Sequence, residues 1–156
     1  MTHVWRICRQ PYVANVLDGL GGTYTSGRWH NKGIPIVYAA SSAALAALEV
    51  LVHVDPLTAP ADLRLLTLDL PADCAIDVLE ISGLPKAWAE VPAPPELQMI
   101  GTAWLRSMRT VALSVPSAVI QVERNILLNP LHPDARSIRL ISDGPFSFDL
   151  RLLGAG

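Results

Sequence analysis

Two cysteines in 156 residues, Cys8 and Cys74, are too few and too far apart for a disulfide framework. Both stand in apolar stretches and in no metal-ligand spacing, so buried free thiols in a reducing compartment are expected. The four histidines, His3, His30, His53 and His132, form no spaced cluster, and no metal site is expected. Charge is sparse: 17% of residues are charged, the net charge is −2, and no basic block occurs. Sequence-independent nucleic-acid binding needs many phosphate-neutralising cations and is not expected. No apolar run reaches the roughly 18–20 residues that cross a bilayer. The longest, Ala43–Val54, is broken by Glu49 and His53. The opening MTHVWRICRQ lacks the apolar centre of a secretory signal, so a cytoplasmic location is expected. Also absent are GxGxxG, Walker A spacing and GxSxG, which removes support for Rossmann, P-loop and serine-hydrolase readings.

What is present is apolar. Hydrophobic residues make up 51% of the chain, enough to bury a sizeable core. The mean hydropathy of +0.34 is high for a solitary soluble domain, so a homo-oligomer or a stable complex is expected. Thirteen prolines and ten glycines are scattered without repeats or linkers, consistent with one domain over residues 1–156. Strands are expected at Thr2–Cys8, Ile34–Tyr38, Asp62–Leu70, Ala75–Leu79, Val111–Val122 (interrupted near Pro116), Ser137–Ile141 and Phe146–Leu152. Leu17–Gly27 reads as a glycine-rich loop and Pro85–Pro95 as a proline-rich one. Ser41–His53 is the best helix, capped by Ser41 or Ser42, stopped at Asp55-Pro56 and apolar nearly all round. Leu97–Met108 is a second. Many strands and two main helices favour a mixed α+β fold.

Five places can carry chemistry. Arg28, after the glycine-rich loop, can fork onto phosphate or ribose oxygens; it can equally pair with a surface carboxylate or stack on Trp29. Glu49 is the lone charge on an apolar helix, and an unpaired buried carboxylate is costly. Either it pairs with His53, four residues on, or it faces a polar ligand in a cleft. Ser117, beside Pro116, offers a hydroxyl to a ligand or to nearby backbone. Asn125, Asn129 and His132 lie in a stretch that reads as turn-rich. Tyr38, at the end of a strand, can stack on a flat ring or fill the core.

In order and spacing these pieces resemble one family, the RES-domain toxins of bacterial Xre–RES toxin–antitoxin pairs. The resemblance takes in Trp5-Arg6, Gly27-Arg28-Trp29, Ile36-Val37-Tyr38, Ala46-Ala47-Leu48-Glu49, Leu51-Val52-His53 and Gly101–Leu105. It continues through Val115-Pro116-Ser117, Asn125, Asn129-Pro130, His132-Pro133 and Phe148–Arg151. The arginine, glutamate and serine that name the family match Arg28, Glu49 and Ser117. His30 departs from it, because asparagine often follows the Arg-Trp pair there. The resemblance implies a fold similar to ADP-ribosyltransferases, NAD+ as substrate with no resident cofactor, and a helix-turn-helix antitoxin of Xre type. It places Arg28, Glu49 and Tyr38 at the catalytic centre, with Ser117, Asn125 and Arg6 as NAD-binding residues. Chemically, cleavage of the nicotinamide–ribose bond develops positive charge on the ribose, which Glu49 would stabilise. Water, phosphate or a target protein could then accept the ADP-ribose. The rival reading is an inactive toxin-like module that acts only by binding its partner.

Overall fold

A computed structural model describes residues 2–55 and 58–154. Among these, the strands in chain order are β1 (Thr2–Arg9), β2 (Val37–Ala40), β3 (Leu63–Leu70), β4 (Ile76–Val78), β5 (Ala112–Pro116), β6 (Arg124–Leu128) and β7 (Arg139–Pro145). The helices are a short α1 (Gly21–Tyr24), α2 (Ala43–Leu51) and α3 (Pro95–Ser107). One mixed sheet runs β4-β5-β6-β2-β1-β3-β7. Only β4 and β5 pair in parallel; the other neighbours are antiparallel. The mixed α+β class expected from the sequence is the class observed.

Apolar side chains on both faces place β1, β2, β5 and β6 in the middle. Val4, Val37, Ala39, Ile126 and Leu128 feed one buried cluster. On the other face, Ile7, Ala40, Leu45 and Ala46 form a second cluster under α2. Trp29, Trp88, Leu97, Trp104 and Leu127 form a third under α3. β1 and β2 share a single registered pair, Trp5 with Ala40. The sheet therefore opens between them, and the Arg6 side chain bridges the gap by donating from Nη1 to the Tyr38 carbonyl at 2.7 Å.

Several boundaries move, each for a local reason. The strand expected at Ile34–Tyr38 starts at Val37, because Pro35 has no N–H to donate and the Ile36 N–H goes to the Gly19 carbonyl. The strand expected over Val111–Val122 stops at Pro116, where the chain turns back into β6. β6 itself was hidden in the turn-rich stretch: three apolar residues between two asparagines are too short a run to read as a central strand. The final strand is Arg139–Pro145 rather than Phe146–Leu152. Beyond it, Asp149 accepts the Arg151 N–H and starts a 3-10 turn at Leu150–Leu153. Most of the glycine-rich loop coils into a 3-10 segment at Gln10–Asp18 and α1. Cys8 and Cys74 are free thiols, as expected, but half-buried rather than enclosed. Pro56, the expected helix stop, lies outside the described residues.

The helix carrying Glu49 begins at Ala43, with Ser42 Oγ accepting the Leu45 N–H at 3.1 Å. It is less buried than its all-apolar sequence suggests. Leu45 and Ala46 sit on the sheet, while Val50 and Val52 border open clefts. Ser42→Ala should cost about 1 kcal/mol. The thermal midpoint should fall by about 2–4 °C. An unchanged midpoint would show that this cap does not hold the helix.

Candidate active site

The sheet, α2 and α3 bring together side chains from four separated parts of the chain. Arg28, Tyr38, Glu49, His53 and Asn125 line one cleft of about 890 Å³. A smaller adjoining cavity of about 320 Å³ is lined by Arg6, Tyr38, Glu49, His53 and Asn125. A third, of about 660 Å³, lies under the glycine-rich segment and is also bordered by Arg6 and Tyr38. Tyr38 thus stands where the three meet.

Glu49 is held from the sheet, not from its own helix. Ser117 Oγ donates to its Oε1 at 2.6 Å and Asn125 Nδ2 donates to the same oxygen at 2.7 Å. Among the described residues, Oε2 accepts no hydrogen bond. The alternative pairing with His53 does not form: His53 lies past the end of α2 and is exposed. Two neutral donors on one oxygen fix the carboxylate while leaving its charge uncancelled, and the second oxygen is left to face a ligand.

Ser117 does more locally than a lone hydroxyl suggests. Its Oγ accepts the Val119 and Ile120 N–H groups, both at 3.1 Å, as it donates to Glu49. One proton and two lone pairs are all in use. The side chain is fully enclosed at 0% exposure. The hydroxyl therefore closes the turn after β5 and presents Glu49, with no hydrogen-bonding capacity left to offer a ligand directly.

Arg28 neither pairs with a carboxylate nor stacks on Trp29. Its Nη1 donates to the carbonyls of Trp88 (2.8 Å) and Glu90 (3.1 Å), anchoring the proline-rich segment expected at Pro85–Pro95. Those partners are 60 and 62 residues away, beyond the reach of any local sequence signal. Carbonyls leave the positive charge intact. Burial lowers the guanidinium's affinity for its proton, and Glu49 and Tyr38 act in the opposite sense. The arginine stays charged, with Nε and Nη2 free of hydrogen bonds among the described residues.

The turn carrying Arg28 is clamped by α3. Gln98 Nε2 donates to the Gly27 carbonyl at 3.0 Å, and Thr102 Oγ1 accepts the Asn31 N–H at 3.1 Å. Between them Gly101 lets the helix touch the Trp29 carbonyl, where any Cβ would collide.

Tyr38 is half-buried, and desolvation pushes its phenol well above the usual tyrosine range, so it stays protonated. Its hydroxyl accepts the Trp29 N–H at 3.2 Å and meets His30 Nδ1 at 2.7 Å. Asn129 and His132 are structural: Asn129 donates to the Leu105 carbonyl and accepts the Leu131 N–H, and His132 accepts the Asp134 N–H. No group of three His, Cys, Asp or Glu side chains among the described residues could share a metal ion. No helix among them is long and apolar enough to cross a membrane.

Comparison with known proteins agrees with the likeness in the motifs. The RES domain family model matches residues 3–149. A protein named Toxin Res from Photorhabdus laumondii is 40% identical over 154 residues, covering 97% of each chain. The Prs ADP-ribosylating toxin of a Sphingobium strain is 37% identical over 156 residues, again covering 97% of each. The crystal structure of the M. tuberculosis MbcT–MbcA toxin–antitoxin complex contains a chain of the same fold. Its TM-score is 0.73 at 20% identity, over 93% of this chain and 84% of that one. Matched almost end to end by the family model and by these relatives, the chain belongs to the RES-domain toxin family.

Proposed function

We propose that this chain is the toxin of a toxin–antitoxin pair and that it cleaves the nicotinamide–ribose bond of NAD+. The observation that carries this reading is Glu49, an uncancelled carboxylate fixed through one oxygen, in the same cleft as the uncancelled cation of Arg28. Departure of neutral nicotinamide leaves positive charge on the ribose. A fixed carboxylate stabilises that charge as it forms, and needs little rearrangement because Ser117 and Asn125 already hold it. Arg28 suits the negatively charged pyrophosphate, and Tyr38 offers an aromatic face beside the nicotinamide. Arg6 provides a second cation at the junction of the cavities. In this reading Ser117 acts through Glu49 rather than touching NAD+.

The relative named as an ADP-ribosylating toxin supports the substrate, since ADP-ribosylation breaks this same bond of NAD+. Water, phosphate or a target protein then takes the ADP-ribose. The partner is a helix-turn-helix antitoxin of the Xre type. Exposed Val52 and Val91 on the rim of the cleft give such a partner apolar surface to cover.

The test is incubation of the purified chain with NAD+ alone, with phosphate, and with cell lysate. Release of nicotinamide in any arm is expected; intact NAD+ in all three would reject the enzyme reading. Arg28→Lys should raise the KM for NAD+ by about tenfold, since a point charge replaces a planar fork. A KM equal to wild type would remove Arg28 from substrate binding.

A further inference from the structure

The most enclosed titratable side chain near the cleft has no role in the mechanism above. His30 is 3% exposed. Its Nε2 lies 3.2 Å from the Gly22 carbonyl and 3.0 Å from the Thr25 carbonyl. Carbonyl oxygens only accept, so Nε2 carries the proton. In the neutral ring Nδ1 is then an acceptor, and it takes the Tyr38 hydroxyl proton at 2.7 Å. The same hydroxyl accepts the Trp29 N–H, which settles its one proton and one of its lone pairs. The imidazole therefore ties two features of the site together. One is the phenol where the three cavities meet; the other is the α1 segment that borders the largely separate cavity of about 660 Å³.

We infer that His30 is a positioning residue: it fixes the Tyr38 ring through Nδ1 and the Gly22–Thr25 backbone through Nε2, so that the walls on either side of Tyr38 hold one geometry for a two-ended nucleotide substrate. This rests on the NAD+ reading for the identity of the substrate, but not for the hydrogen bonds. Packing supports the same conclusion. A Cβ at Gly27 would come within 3.1 Å of His30 Nδ1 and 2.5 Å of the Tyr38 hydroxyl. One at Gly22 would meet His30 Nε2 at 3.1 Å. Both glycines leave room for this ring. Backbone bonds from the Gly33 N–H to the Gly22 carbonyl and from the Ile36 N–H to the Gly19 carbonyl hold the segment to its own neighbours, and the imidazole adds its tie to Tyr38.

Two conservative substitutions separate the two halves. His30→Asn places an amide near the Nδ1 position, keeps an acceptor for Tyr38 and gives up the bonds to the loop. His30→Gln reaches the Nε2 position, keeps a donor for the carbonyls and gives up the acceptor. We expect His30→Asn to raise the KM for NAD+ while kcat stays within about threefold, whereas His30→Gln lowers kcat by about tenfold or more, as displaced catalytic groups do. In a Tyr38→Phe background, His30→Gln should lower kcat no further, because no hydroxyl is left to hold. Equal losses in both variants that follow their melting temperatures would overturn the proposal, as would additive effects with Tyr38→Phe. A second readout needs no turnover: nitrogen NMR of the substrate-free protein should show His30 protonated at Nε2, and Tyr38 ring resonances moved by His30→Gln but not by His30→Asn. A proton on Nδ1 alone, or Tyr38 resonances unmoved by His30→Gln, would overturn the positioning role even where NAD+ is cleaved. Intact NAD+ alongside the expected spectra would reject the substrate reading and leave the positioning of Tyr38 standing.

Discussion

Glu49→Gln is expected to lower kcat/KM for NAD+ cleavage by about a thousandfold, or about 4 kcal/mol of transition-state stabilisation. Glutamine is close in shape, and its amide oxygen can accept from Ser117 and Asn125 as Oε1 does. What disappears is the negative charge facing the ribose. The variant should therefore fold with a midpoint at or slightly above wild type, because a partly buried charge has been removed with its hydrogen bonds kept. The measurement is nicotinamide release under single-turnover conditions, alongside thermal melting. Turnover within tenfold of wild type would remove Glu49 from the chemistry. A large loss accompanied by a collapsed midpoint would assign it to folding instead. Ser117→Ala should fall between these limits. It leaves the charge but strips Oε1 of one donor and leaves the Val119 and Ile120 N–H groups without their acceptor.

The residues of this site differ in how far the sequence could reveal them. Glu49 was visible because a lone carboxylate on an apolar helix needs an explanation, and the helix itself was clear from composition and its serine cap. Which explanation applied was not visible. The choice between His53 and a cleft depended on β6 lying beside β2, and β6 could not be read from Ile126–Leu128 alone. Ser117 looked like a choice between local and ligand roles because sequence gives the hydroxyl but not its three partners. Arg28 was ambiguous for a different reason: its partners are backbone carbonyls on the 85–95 segment, and carbonyls carry no residue-specific signal. His30 stood out only as a departure from the family pattern, and its geometry supplies the physical content. The α+β class was legible since it depends on the number and kind of apolar segments. The strand edges were not, since Pro35, Ser117 and Asp149 each end or shift an element through a hydrogen bond that is missing or diverted.

Gly101→Ala is expected to reverse the usual sign of its class and destabilise the protein by about 3 kcal/mol or more. In an exposed helix interior the same change stabilises by about 1 kcal/mol, because alanine has less backbone freedom to lose. Here the new methyl collides with the Trp29 carbonyl. The obstacle is backbone in a turn that Gln98 and Thr102 hold from either side, so it cannot swing away as a flexible side chain would. The strain can be relieved by lifting α3, which opens the cluster of Trp29, Trp88, Leu97 and Trp104, or by pushing the turn outward. For a chain of this length the midpoint should fall by about 6–12 °C. Gly144→Ala, on β7 with nothing within 4 Å of the added Cβ, is the control and should be neutral or slightly stabilising. If the two substitutions behave alike, α3 does not seat on the turn as described. Because Trp29 follows Arg28 directly, whatever Gly101→Ala leaves folded should also bind NAD+ more weakly. A raised KM at temperatures well below the midpoint would then separate displacement of Arg28 from simple loss of folded protein.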